Sequence, residues 1–265
     1  MAADKVTVRA FARLKGKRIT MLTAYDYYTA RFLDRAGVDS LLVGDSLNMV
    51  FYGEATTLSA DMALMLAHTR AVVRGASRAL VIGDMPFLSY QPSERDAVYN
   101  AGLFLKEAFA QAVKMEGGIE RAETIRKTIE AGIPVMGHIG LTPQSIHRFG
   151  GYQVQGRNEK QAAYLKESAL ALEQAGVFGM VLEAIPAELA RQITESVKVP
   201  TIGIGAGPHT DGQVMVINDI AGLFDDFKPK FVRRYGDVGG ELTRIARAFV
   251  EDVREGRFPG PEESY

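Results

Sequence analysis

The sequence of 265 residues contains no cysteine. Disulfides, thiolate metal sites and thiol nucleophiles are excluded together, and a reducing compartment fits. Neither sign of charge is in excess: 31 Lys and Arg face 32 Asp and Glu, for a net charge of −1. A nucleic-acid or membrane-surface partner ordinarily brings a basic excess, so neither is expected. The densest basic stretch, Lys228, Lys230, Arg233 and Arg234, reads as a solvated surface. No stretch approaches the ~18 consecutive apolar residues of a membrane-spanning helix. The opening MAADKVTVRAFARLKGKR lacks the apolar core of a signal peptide. Linkers rich in Pro, Gly or Ser, low-complexity tracts and repeats are also missing. The expectation is a cytoplasmic enzyme with a single domain over residues 1–265, a short N-terminal segment and an irregular tail, EGRFPGPEESY.

What is present is an alternation of short apolar runs with longer amphipathic stretches. Residues 19–24, 40–43, 79–82, 112–115, 134–136, 178–182 and 201–204 read as strands, and 221–224 is taken as the last. Helical patterns fall between them, near 25–36, from Ser59 as N-cap to 74, from Ser93, and over 119–131, 159–175 and 187–197; a closing helix covers 241–254. The runs are rich in Val, Ile and Leu with little alternation, as in strands buried on both faces. Strand–helix–strand repetition implies a parallel sheet with right-handed crossovers. Seven or eight such units in this length suit an α/β fold of the (β/α)8 TIM-barrel type, with an open doubly wound sheet as the alternative.

Reactive residues follow the runs. Run two ends in Gly44-Asp45-Ser46 and run three in Gly83-Asp84; run four carries Lys114 and ends in Glu116. Run five ends in Gly137-His138, run six in Glu183, and run seven in GIGAG, residues 203–207. All sit at carboxyl ends of strands, the edge where parallel α/β folds assemble their sites. Asp45, Asp84 and Glu116 form a candidate set of hard oxygen ligands suited to Mg²⁺. The competing view makes Asp45 and Asp84 helix caps and Glu116 a rim charge. His68, His138, His147 and His209 are too dispersed in sequence for a paired-histidine site. Lys114, two residues before Glu116, shares its strand face, either as an anion-binding group or as a structural ion-pair partner. His138 alone is as readily a hydrogen-bonded structural residue. Glu183 closes an apolar run, where partial desolvation would suit a general base, or it caps the helix after Pro186. GIGAG is not a GxGxxG and leads to Pro208, so it reads as a tight loop shaping the site.

With these residues in view, the chain resembles the ketopantoate hydroxymethyltransferase family. The resemblance rests on TAYDYYTARFLDRAGVDSLLVGDS, IGDMPF, AVKMEGG, PVMGHIGLTPQS, GGYQVQGR, VLEAIP, PTIGIGAG with DGQV, KFVRRYGD and the tail FPGPEES, in order along the chain. It implies a barrel of the phosphoenolpyruvate/pyruvate kind and Mg²⁺ ligation by Asp45, Asp84 and Glu116. It implies contacts to a 2-oxo acid from Asp45, Ser46, Asp84, Lys114 and His138, with His138 also in the catalytic group and Glu183 as proton acceptor. The reaction it implies forms ketopantoate from 3-methyl-2-oxobutanoate through a metal-stabilised enolate, with 5,10-methylenetetrahydrofolate as cosubstrate. The assembly it implies is a homo-oligomer, a decamer of two pentameric rings. Thr210 departs from the cysteine found there in many relatives, outside the implied ligand set. Residues 48–58, just past Asp45, are a candidate lid. A lyase or mutase of the same barrel type is the rival reading; the acidic cysteine common in such lyases has no counterpart here. A barrel that only binds an oxo acid is disfavoured by the presence of both the ligand carboxylates and Glu183.

Overall fold

The computed structural model describes residues 4–265. Two compact units are present, one ending at Met215 and one running from Val216 to Tyr265.

In the first unit, among the described residues, eight parallel strands close into a barrel in sequence order: β1 (Ile19–Thr23), β2 (Ser40–Val43), β3 (Leu80–Asp84), β4 (Ala112–Glu116), β5 (Val135–Gly140), β6 (Gly179–Glu183), β7 (Thr201–Ile204) and β8 (Gly212–Met215). The helices of this unit are α1 (Val8–Ala12), α2 (Tyr27–Arg35), α3 (Leu47–Val50), α4 (Met62–Gly75), α5 (Glu94–Lys106), α6 (Ala122–Glu130), α7 (Ile146–Phe149), α8 (Glu159–Ala175) and α9 (Ala187–Ser196). The second unit holds α10 (Ile217–Ala221) and α11 (Val238–Arg254).

Strands β2 to β5 are buried along their whole length, as expected when helices cover the outside and side chains fill the inside. The interior core takes alternate residues: Met21, Leu42, Leu80, Ile82, Ala112, Met136, Val181, Ile202 and Val214. Phe11 of α1 stands edge-on to Phe178, with ring centroids 5.7 Å apart, and belongs to the same cluster. The N-terminal segment therefore adds to the core beside the strand starts. On the outer face, Gly83 lets α5 approach; a Cβ there would lie 2.3 Å from Phe104.

Two expectations need correction. Ser59 does not cap the helix it precedes; Asp61 does, accepting from Leu64 N at 2.8 Å, while Ser59 Oγ accepts from Asn48 Nδ2. The eighth strand is not residues 221–224, since Ala221 ends α10 and the strand is Gly212–Met215. The link between β7 and β8 carries no helix, so the helix-then-strand rhythm that marks the other units is missing. Side-chain bonds hold the seam instead. Asp211 Oδ2 accepts from Thr201 N (2.8 Å), Thr201 Oγ1 (3.0 Å) and Lys15 Nζ (3.0 Å), and Oδ1 accepts from Gly16 N (2.8 Å). Thr210 Oγ1 donates to Gly212 O at 2.8 Å, which gives this position a structural use. Asp34 plays a matching part between α2 and β3, accepting from the backbone N–H groups of Ser77, Arg78 and Ala79.

Burial opposes ionisation of both Asp34 and Asp211, yet the donors around them outweigh it and hold both pKa values below the ordinary 3.8. A depressed folded-state pKa contributes stability that is complete above about pH 4 and lost as pH falls through the folded value. Asp211→Ala should lower unfolding stability by about 3 kcal/mol. Asp211→Asn should in addition flatten the loss of stability between pH 5 and pH 2, read from denaturant midpoints along a pH series.

Candidate active site

The alternation that fills the barrel also arms its mouth. Two residues beyond Ile82 is Asp84; two and four beyond Ala112 are Lys114 and Glu116; two beyond Met136 is His138; two beyond Val181 is Glu183. Side chains two apart share a face, so on β3, β4, β5 and β6 the interior position that follows the apolar layer carries a titratable group. Register aligns them around the rim: Asp84 pairs with Lys114, Glu116 with His138, and Gly140 with Glu183. Asp45 and Ser46 arrive from the turn after β2.

All seven residues singled out in the sequence lie at this end, and six form a chain of contacts. Asp45 N donates to Asp84 Oδ2 at 3.2 Å. Lys114 Nζ lies 2.9 Å from Asp84 Oδ1, 3.9 Å from Glu116 Oε1 and 3.1 Å from His138 Nδ1. His138 Nδ1 is 3.4 Å from Glu116 Oε1, and Nε2 is 3.1 Å from Glu183 Oε2. Ser46 stands beside this chain, its hydroxyl 3.0 Å from Tyr25 Oη. The helix-cap alternative does not hold. Helix α3 has Ser46 at its N-cap, α5 is capped by Ser93, and α9 follows Pro186 without a side-chain cap. His68 and the other histidines stay outside the cluster; His68 bridges Tyr25 O (2.5 Å) and Tyr52 Oη (2.8 Å).

Asp45, Asp84, Lys114, Glu116 and His138 are buried, so their charges are set by one another. Burial raises the pKa of Asp45 well above its ordinary value, and the neighbouring charges of Asp84 and Glu116 add to this. Asp84 is raised by burial, against the pull of Lys114. Burial works against the Lys114 ammonium, but Asp84, Glu116 and Asp45 together outweigh it and raise its pKa. Glu116 is lowered despite burial, by His138, Lys114 and the Gln144 N–H. His138 is held up to about 9, because its contacts with Glu116 and Glu183 overcome burial and the Lys114 charge. In neutral form it must accept from Lys114 at Nδ1, which leaves the proton on Nε2, facing Glu183. Glu183 is the wetter acid, with 18% of its side chain exposed. The residue after it, Ala184, has φ of 46°, a strained left-handed conformation for a side chain with Cβ. Its N–H and C=O are both bonded, to Ile204 O and from Gln155 N, which pins the turn that presents Glu183.

A cation has a place here. Asp84 Oδ1 and Glu116 Oε1 are buried and face only Lys114 and His138, with no backbone or amide N–H donor on either oxygen. Added positive charge would relieve the repulsion that raises Asp45. Among the described residues no group of three or more His, Asp or Glu side chains is arranged to hold a metal ion as the side chains stand, so a Mg²⁺ here would take few carboxylates directly and keep several waters.

Four residues were not assigned roles from sequence, three of them inside the quoted motifs. Tyr25 orients Ser46, and Tyr90 and Gln144 brace the carboxylates. Tyr152 donates to Met49 Sδ at 3.3 Å from the opposite loop, and its hydroxyl pKa is raised by burial and then by the charges of Asp45, Glu183 and Glu116. The expected lid is a compact loop tied at its neck, with Asn48 Nδ2 donating to Thr56 O and Ser59 Oγ, both at 2.8 Å. Neutral polar side chains in loops carry no spacing signal, so only the fold reveals such partners.

The profile of the family described as Ketopantoate hydroxymethyltransferase matches residues 5–261. A Clostridium botulinum (strain Langeland) protein named 3-methyl-2-oxobutanoate hydroxymethyltransferase is 54% identical, over 98% of this chain and 95% of its own. One of the same name from Syntrophobacter fumaroxidans is 55% identical, over 99% and 93%. Among solved structures, a phosphonopyruvate hydrolase superposes with a TM-score of 0.63 at 14% identity, covering 97% of this chain and 93% of that one. A 2,3-dimethylmalate lyase described as a PEP mutase/isocitrate lyase superfamily member gives 0.61 at 16%, covering 97% and 91%. These two similarities concern the fold alone, an eight-stranded α/β barrel.

Lys114→Met would leave the buried carboxylates without a resident cation. Loss of about 3–5 kcal/mol of stability is expected in EDTA, with partial recovery in millimolar Mg²⁺, followed by denaturant titration. Equal losses with and without Mg²⁺ would count against a cation at these carboxylates.

Proposed function

The chain belongs to the ketopantoate hydroxymethyltransferase family, and we propose that it adds a hydroxymethyl group to 3-methyl-2-oxobutanoate, giving ketopantoate, with 5,10-methylenetetrahydrofolate as the one-carbon donor. The observation that carries this reading is the unbroken contact path from Asp84 through Lys114, Glu116 and His138 to Glu183. It joins a carboxylate-rich cation site to an acid that is only partly buried.

Mg²⁺ held by Asp45, Asp84 and Glu116 would supply Lewis acidity toward the oxo and carboxylate oxygens of the substrate, making its C3 proton easier to remove. Ser46, aimed by Tyr25, offers a hydroxyl to the substrate carboxylate, and Lys114 supplies positive charge beside it. Glu183 takes the C3 proton as general base, held in aim by His138. His138 also faces the bound acid from the strand between Lys114 and Glu183. The lid, with Tyr152 meeting Met49 across the mouth, limits water at the carbon that has lost its proton. That carbon bonds to the one-carbon unit, water provides the hydroxyl oxygen, and tetrahydrofolate departs.

The proposed setting is the cytoplasm, without nucleic-acid or membrane partners; among the described residues no helix is long and apolar enough to cross a membrane. The proposed assembly is a homo-oligomer, as a decamer of two pentameric rings. In its support, α11 exposes Leu242, Ile245, Phe249 and Val253, spaced along one helical stripe, the kind of apolar face that associates. Light scattering is expected to give about ten chain masses, and Leu242→Lys with Phe249→Lys should lower that number.

Proton NMR of 3-methyl-2-oxobutanoate in D₂O, with enzyme and Mg²⁺ but no folate, should show loss of the C3 proton signal. EDTA should stop it, and Glu183→Gln should slow it by about 10²–10⁴-fold. Persistence of the signal with the wild-type enzyme and metal would rule out proton abstraction as proposed.

A further inference from the structure

Gln144 occupies a short turn after β5, behind Pro143, and is buried. Its backbone N–H donates to Glu116 Oε2 at 3.1 Å. Its side-chain amide donates to Asp45 Oδ2 at 3.0 Å and to Met85 O at 2.8 Å. Its side-chain oxygen accepts from Tyr90 Oη at 2.8 Å and Gln91 Nε2 at 2.9 Å. Tyr90 Oη in turn accepts from Glu116 N at 3.1 Å.

These partners permit one amide orientation. A flipped amide would set its oxygen against the Met85 carbonyl, which cannot donate, and would set its NH₂ against the amide of Gln91. Both amide hydrogens and both lone pairs are then engaged, so the side chain has no freedom left. One residue thereby fixes oxygens on two carboxylates from different strands, and through Met85 O it also holds the loop after β3.

The pattern at the carboxylates is selective. Glu116 Oε2 is anchored by Gln144 N and Asp84 Oδ2 by Asp45 N, while Asp84 Oδ1 faces the Lys114 ammonium and Glu116 Oε1 faces Lys114 and His138. Anchoring one oxygen of a carboxylate sets the direction of the other.

We infer that Gln144 is a positioning residue for the metal site: it aims Asp45 and Glu116 from behind and sets the affinity for a divalent cation without touching it. Tyr90 and Gln91 hold its amide in register. A neutral amide suits the task, because a carboxylate at this position would add a fourth acid to the cluster and lose both donors. The inference rests on the reading of Asp45, Asp84 and Glu116 as metal ligands.

The test measures binding of Mn²⁺, as a stand-in for Mg²⁺, from the electron paramagnetic resonance signal of the free ion. Wild type, Gln144→Met and Tyr90→Phe are compared, with activity followed against Mg²⁺ concentration. Gln144→Met is expected to weaken Mn²⁺ binding about 10–100-fold and to raise the Mg²⁺ concentration for half-maximal rate in proportion. Tyr90→Phe, which keeps the ring and removes the hydroxyl, should weaken binding by a smaller factor, about 2–10-fold. If Gln144→Met fails to fold, Tyr90→Phe decides: weakened binding supports the assignment and wild-type affinity overturns it. Wild-type Mn²⁺ affinity in a folded Gln144→Met also overturns it, even with a lowered melting temperature, because the residue would then serve only packing. Failure of the wild-type enzyme to bind Mn²⁺ overturns the metal site itself, a separate result from a variant that binds as wild type does.

Discussion

Adjacent side chains on a β-strand point to opposite faces, and closing a sheet into a barrel turns one of those faces into an interior. That single alternation governs both the stability and the chemistry here. Leu80 and Ile82 fill the interior and Asp84 continues their row; Ala112 leads to Lys114 and Glu116, and Met136 leads to His138. A one-residue slip of any of these strands would expose its core residues and bury its site residues in the helix layer. The same packing that holds the barrel therefore fixes which acids meet.

The cost of this arrangement is electrostatic. Asp45, Asp84 and Glu116 lie where water cannot solvate them, and one ammonium does not balance three carboxylates. The protein lowers the cost in two ways: Lys114 and His138 sit among the acids, and backbone or amide N–H groups are spent on one oxygen of each carboxylate. What remains is an acid-rich cluster at a fixed place, the donor set that the proposed cation would need. Glu183 differs from the other three acids in being partly exposed, and its carboxylate lies 3.1 Å from His138 Nε2.

The barrel was legible because its strands are continuous apolar runs and its crossovers are helices; where a crossover lacks a helix, at β7–β8, the strand was misplaced. The seam there depends on Asp211 bonding to Thr201, ten residues away, and to Lys15 and Gly16, nearly two hundred away. No local pattern carries such a bond. Ser59 and Asp61 show the same limit at short range: both are good cap residues, and the choice between them was made by Asn48, which recruits Ser59 to the neck of the lid.

Sequence alone determined seven of the eight strands, as continuous apolar runs between helical stretches, the placing of acids after those runs, and the shared face of Lys114 and Glu116, which follows from a period of two along one strand. Motif likeness added the family. The tertiary structure removed the helix-cap reading, because that depends on which elements the carboxylates face. It also brought in Tyr25, Tyr90 and Gln144, uncharged residues whose importance lies wholly in the distant partners that folding brings to hydrogen-bonding distance.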